Sequence, residues 1–330
     1  MNIVAIILSN TIAFGIPLLL VALGGMFSER SGIINIALEG IMIIGALAGC
    51  LVLKFLNLDS WGPAHAQLSV LISIVVAAVA GGLFSLLLAF ASIHLKADQT
   101  IGGTALNTFA PAFAVVLTWA VQGTGQTTIN IPTWTAITPQ TLGFSFSTNT
   151  NFFTTLFFKS FYLTTPICII ILIGATIFLS KTRLGLRLRA CGEHPQAADS
   201  VGIDVYKIRY LGVTISGVLA GIGGMAYVFA VGTGFQSEVM GYGFLALAVM
   251  IFGNWKPLRI GVAAIFFALF KGTAAMSGSI SFLPTFSHLK NSQNIYLILP
   301  YLVTMIVLAF TSKKSRAPKA EGIPYDKGAR

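Results

Sequence analysis

Nine apolar runs divide this 330-residue chain, at about Ile3–Leu23, Ile34–Leu53, Leu68–Ala91, Ile101–Val121, Phe161–Leu179, Tyr210–Val231, Tyr242–Phe252, Ile260–Met276 and Ile295–Phe310. Most approach the ~20 residues that a helix needs to cross the apolar layer of a bilayer. Charge is correspondingly scarce: 9% of the residues are charged, against about 25% in soluble domains. The chain therefore reads as all-α, a polytopic membrane protein of about nine transmembrane helices. Tyr242–Phe252 is short for a span, and Gln236 and Glu238 lie just ahead of it. It reads as a tilted or broken helix whose upper part faces protein or water. The chain opens without a basic stretch or a small-residue cleavage pattern, so the first run reads as a retained span.

The formal net charge is +10, and twelve of the twenty Lys and Arg lie in 181–209 or after Thr311. Such clustering follows the positive-inside rule and is not a signal for nucleic acid. Both segments are therefore expected at the cytoplasmic face of a cell membrane. Alternation then puts Ser28–Gly32, His94–Gln99 and Asn254–Arg259 on that same side. The long, nearly uncharged Gln122–Lys159 falls outside. The C-terminus is expected in the cytoplasm and the N-terminus outside. Two regions result: a transmembrane domain over 1–311, holding a cytoplasmic loop at 181–209, and a basic tail over 312–330.

The 181–209 loop carries a helix signal. Pro195 suits a first turn and Gly202 the position just past the end. Ala197, Ala198 and Val201 fall on one face. A small helix with an alanine face, tied at both ends to membrane spans, suits docking into a groove on a soluble partner. A plain solvated loop is the competing reading.

Ionisable residues within the runs are few. Glu39 lies in the second run near Asn35, and Asn107 in the fourth. Each could line a substrate path or lock helices together by hydrogen bonds. Lys271 reads as snorkelling or paired. Gly217 and Gly221 form a small-residue pair that favours close helix crossing. Cys50, Cys168 and Cys191 make no metal spacing and read as small packing residues. His65, His94, His194 and His288 read as surface histidines. The sequence contains no P-loop, no HExxH and no GxSxG, and no catalytic set, metal site or cofactor is expected. An internal echo joins Ser28-Glu29-Arg30-Ser31-Gly32 to Ser237-Glu238-Val239-Met240-Gly241. Five spans apart, the copies would run in opposite directions, as in an inverted repeat.

Three stretches carry a resemblance. Pro17–Gly49, Gly185–Val205 and Leu245–Gly261 are similar to permease subunits of ABC importers for nucleosides and simple sugars. That branch belongs with the branched-chain amino-acid and ribose permeases. The resemblance implies a permease without enzymatic activity of its own. It implies a cytoplasmic ABC ATPase, a second and related permease chain, and an extracellular substrate-binding lipoprotein. It also implies that the 195–202 segment is a coupling helix, with Glu193, Pro195, Ala197, Ala198 and Gly202 as ATPase-coupling residues. Ala197-Ala198 followed by Gly202 resembles the family's EAA…G pattern, with Gln196 where that pattern has Glu. The implied cargo is a nucleoside, moved by alternating access. A simple-sugar or branched-chain amino-acid permease is the alternative within the group. An ion-coupled secondary transporter is the alternative outside it, and Glu39 stands nearly alone against the acid or His relays it would need.

Overall fold

The computed structural model describes residues 3–58, 61–138, 152–158, 161–275, 298, 301–303, 305–306, 309 and 316–327. Seven helices are long and apolar enough to cross a membrane. They are α1 (Ile3–Arg30), α2 (Leu38–Leu58), α4 (Ala66–Ile93), α5 (Gln99–Gln122), α7 (Thr164–Lys181), α10 (Val205–Val231) and α12 (Pro257–Ala275). An eleven-residue apolar helix, α11 (Tyr242–Phe252), matches the short seventh run. Between these lie α3 (Trp61–Ala64), α6 (Phe152–Phe158), α8 (Arg183–Glu193) and α9 (Pro195–Ser200). The ninth apolar run lies largely outside the described residues. The protein is a multi-pass helical membrane protein.

The bundle is organised around α10, which packs most extensively against α4 and α1 and also against α2. Glycine makes this possible. A Cβ on Gly221 would strike the Ala77 carbonyl oxygen, and one on Gly224 the Met42 carbonyl oxygen. Gly217 in turn lies against Ser85 and Gly81 of α4. The backbones therefore meet where lipid offers no hydrophobic drive and close packing must hold the helices together. Cys50, Cys168 and Cys191 are all buried in this packing. His65, His94 and His194 are exposed, and His288 lies outside the described residues.

Every predicted basic-side connection gathers at one end of the bundle, the basic end. Arg30 at the end of α1 donates to the Trp255 carbonyl at 3.1 Å and lies 3.9 Å from Glu193. Lys96 in the α4–α5 connection pairs with Asp326 of the tail at 2.8 Å. The Arg316 amide reaches Asn254 at 3.2 Å. At the opposite end, Ile129 and Phe235 exchange backbone hydrogen bonds and Trp134 donates to Asn57.

Two departures from the expected boundaries shape the interior. First, α2 begins at Leu38, after residues 31–37 have left helical geometry. Gly32 has φ +97°, a left-handed value that suits glycine. Second, the echoed segments differ locally. Ser28–Arg30 closes α1, whereas residues 237–241 are irregular and α11 starts at Tyr242. The helices that follow the two segments nevertheless meet near their N-termini, an arrangement compatible with halves of opposite direction.

Candidate functional site

The first candidate region is the junction where α2 and α11 begin. Eleven residues at about 1.5 Å each put Tyr242 roughly 16 Å from Phe252, or about half the depth of an apolar layer. Two helix N-termini at that depth leave backbone N–H groups without helical partners. Glu39 meets this need. Its carboxylate accepts from the Gly241 amide at 2.7 Å and the Gly243 amide at 2.6 Å. Asn107 of α5 does the same for α2: it accepts from the Gly40 amide and donates to the Ile36 carbonyl, both at 2.8 Å. Asn35 is fully buried and donates to the Ser216 hydroxyl at 2.8 Å, while its own Oδ1 has no partner.

Asn35, Glu39 and Asn107 thus act on one stretch of chain. The arrangement holds the broken backbone at the point where α2 and α11 begin. Residues not singled out from sequence complete it. Gln99 accepts from the Ile34 amide at 2.7 Å. Gly243 is pressed against the Glu39 backbone, with no room for a Cβ. The Gly241-Tyr242-Gly243 run ahead of a short apolar helix was the available signal. Lys271 of α12 is neither free nor ion-paired in the described contacts: its ammonium lies 5.3 Å from the Tyr242 ring centre and 5.8 Å from that of Tyr301. Glu238, Met240 and Phe244 are exposed beside the junction, as are Thr104 and Thr108 on α5.

The second candidate region is the α8–α9 segment at the basic end. Thr182 caps α8, its hydroxyl accepting from the Gly185 amide at 3.0 Å. His194 breaks the helix with φ −145°, and Pro195 opens α9. Gly202 follows at φ +83°, and Asp204 caps α10 by accepting from the Lys207 amide at 3.1 Å. The backbone N–H and the ammonium of Lys207 hold the exposed Asp204 carboxyl below its usual range, the backbone bond contributing most. The helix is thus Pro195–Ser200, with Gly202 just beyond it.

The face of α9 differs from the one expected. Ala198 is only 3% exposed and points into the chain with Pro195. The outward residues are Gln196, Ala197, Ser200 and Val201, and Val201 is 74% exposed. The reason is spacing: residues 195 and 198 are one turn apart and share a side, and the larger proline takes the buried seat together with Ala198. Glu193 lies 3.9 Å from Arg30, with its side chain still 42% exposed. Beside α9 lies a cleft of about 360 Å³ lined by Asp199, Asp204, Tyr206 and Lys327, among others.

Comparison with known proteins agrees with this architecture. The chain is 40% identical to the guanosine ABC transporter permease protein NupQ of Bacillus subtilis, covering 100% of this chain and 99% of that one. It is 39% identical to the nucleoside ABC transporter permease protein NupC of Lactococcus lactis, over 99% and 98% of the two chains. A 160-residue stretch is 30% identical to NupB, a nucleoside ABC transporter permease protein of the same species, covering 47% and 44%. No solved structure matches the chain. Since the match runs from residue 7 to residue 308, through all the long helices, this chain belongs to the family described as branched-chain amino acid transport system / permease component.

Proposed function

We propose that this chain is a permease subunit of an ATP-driven nucleoside importer. One observation carries the reading: end-to-end identity of about 40% to two nucleoside permeases. ATP hydrolysis then belongs to a partner ATPase in the cytoplasm, which docks on the outward face of α9. The basic end faces the cytoplasm, the N-terminus lies outside, and an extracellular binding lipoprotein delivers the nucleoside. Residues 1–311 form the permease domain and 312–330 a cytoplasmic tail. A second, related permease chain completes the pathway. The exposed face of α5, with Ile101, Phe109, Phe113 and Val116 beside Thr104 and Thr108, offers an apolar surface on which that second chain could pack.

In this reading, ATP binding draws the nucleotide domains together and α9 travels with its domain. The attached spans rock between inward- and outward-open states. Asn35, Glu39 and Asn107 take part as the clamp that keeps the mid-depth junction rigid beside the path.

The test is uptake of labelled guanosine and uridine in cells with and without the gene, with ribose, glucose and leucine as competitors. Loss of nucleoside uptake that these competitors leave unchanged is the expected result. Unchanged nucleoside uptake with loss of sugar or leucine uptake would overturn the substrate assignment. Val201→Arg tests the docking face: uptake should fall by about tenfold or more while membrane insertion is kept. Full uptake by this variant would refute docking at α9.

A further inference from the structure

The tail is folded onto the basic end and bonds to several of the connections there. The Ala320 amide donates to the Gly192 carbonyl at 2.9 Å, at the end of α8. The Gly322 amide donates to the Gly32 carbonyl at 3.2 Å, between α1 and α2. Arg209, 1% exposed near the start of α10, donates to the Ile323 carbonyl at 3.1 Å. Its guanidinium also lies 5.9 Å from the centre of the Tyr325 ring. Tyr325 is itself buried against Tyr206, with ring centres 5.5 Å apart. Lys327 faces Asp199 of α9 at 4.0 Å, and Asp326 pairs with Lys96 at 2.8 Å.

Local backbone geometry is adapted to this path. Gly322 has φ +76°, and a Cβ there would press on Ile34 at 2.8 Å. Gly32 also has positive φ, and a Cβ there would meet the Arg209 guanidinium at 2.9 Å. The buried tail residues, Pro318, Ala320 and Tyr325, alternate with exposed ones.

We propose that residues 318–327 are a strut that seats α9 against the bundle, so that movement of a docked ATPase passes into α1 and α10. The inference rests on the docking role proposed for α9. A six-residue helix is too short to hold its own conformation. Its rigidity must come from what it is fastened to. Pro195 and Ala198 fasten one side, and the tail fastens the ends, at Gly192 before α9 and at Asp199 within it. Movement of α9 without the tail would be absorbed by the His194 and Gly202 joints.

Two measurements on the intact transporter test the strut. The first is uptake per inserted permease for chains truncated after Arg316 and for Tyr325→Ala. The truncated chain should insert and lose about tenfold or more of its uptake, the scale of a coupling free energy. Tyr325→Ala should lose part of it. The second is hydrogen exchange of the Ala320 and Gly322 amides in the unaltered complex. A strut keeps both protected with and without bound ATP. Full uptake by the truncated chain would overturn the proposal, as would loss of protection when ATP binds, since that describes a releasable latch. If truncation prevents insertion, Tyr325→Ala and the exchange data decide alone. Normal truncated uptake beside a dead Val201→Arg would sink the strut and leave the docking reading standing. Normal uptake in both would sink the docking reading too.

Discussion

Replacing Glu39 by alanine strips the acceptor from two backbone amides, Gly241 and Gly243, bonded at 2.7 and 2.6 Å. Each orphaned buried donor costs about 1–3 kcal/mol, so the loss should be about 2–6 kcal/mol. Glu39→Gln keeps one acceptor oxygen but turns an NH2 toward the second amide, and should cost about half as much. Thermal unfolding of the purified protein in detergent reads this directly. Even the lower bound corresponds to a fall in Tm of about 4 °C, taking about 2 °C per kcal/mol. The order alanine, glutamine, native carboxylate is the signature of a clamp. Two results would refute the reasoning. One is an alanine variant whose Tm stays within about 1 °C of the native protein. The other is an unchanged Tm with lost uptake, which would make Glu39 a group that meets the passing solute.

Gly221→Ala should destabilise the bundle by about 2 kcal/mol or more, because the new methyl meets the Ala77 carbonyl oxygen; a Tm unchanged from native would contradict the crossing described. The tail should respond to pH. Burial pushes the Glu321 carboxyl up to about 7, while a hydrogen bond with Glu29 and the Arg30 charge act the other way. The docked tail therefore binds this proton more tightly than the free tail does. Docking is strongest below the usual value of 4.5 and weakens as pH rises through about 7. With solvent screening the change should be about 1–2 kcal/mol. Exchange protection at Ala320, corrected for intrinsic rate, should fall between pH 5.5 and 8 by about tenfold, and Glu321→Gln, which breaks the Glu29–Glu321 carboxyl pair, should reduce the pH dependence.

The seven long helices and the short α11 were legible because hydropathy and charge are local properties of sequence. Arg30, Lys96, Lys181, Lys207 and Lys256 could be assigned to one side without any knowledge of contacts, and their connections do gather there. The clamps were only half legible. Glu39 and Asn107 stood out as polar residues in apolar runs, but their partners are backbone amides and carbonyls, which every residue carries. The same limit hid the tail, whose anchors at Gly192, Gly32 and Ile323 are carbonyl oxygens. For α9 the periodicity grouped residues correctly but could not say which side was inward. In a helix of two alanines and a proline, burial is decided by neighbours rather than by hydrophobic contrast.

The length of α1 has a mechanical consequence. Its 28 residues make a rod of about 42 Å, longer than the apolar layer it crosses. Arg30, at the tip of this rod, lies beside Glu193 and the Trp255 carbonyl, while the shaft runs along α10 and α12. Tilting a rod of that length by about 5° swings its tip through roughly 4 Å. A small rotation of the shaft thus becomes a displacement of side-chain size at the foot of α9, and the reverse holds as well. Pro17, near the middle, withholds one amide from the helix, and a bend of about 5° there alone would move the Arg30 tip, about 20 Å away, by roughly 2 Å.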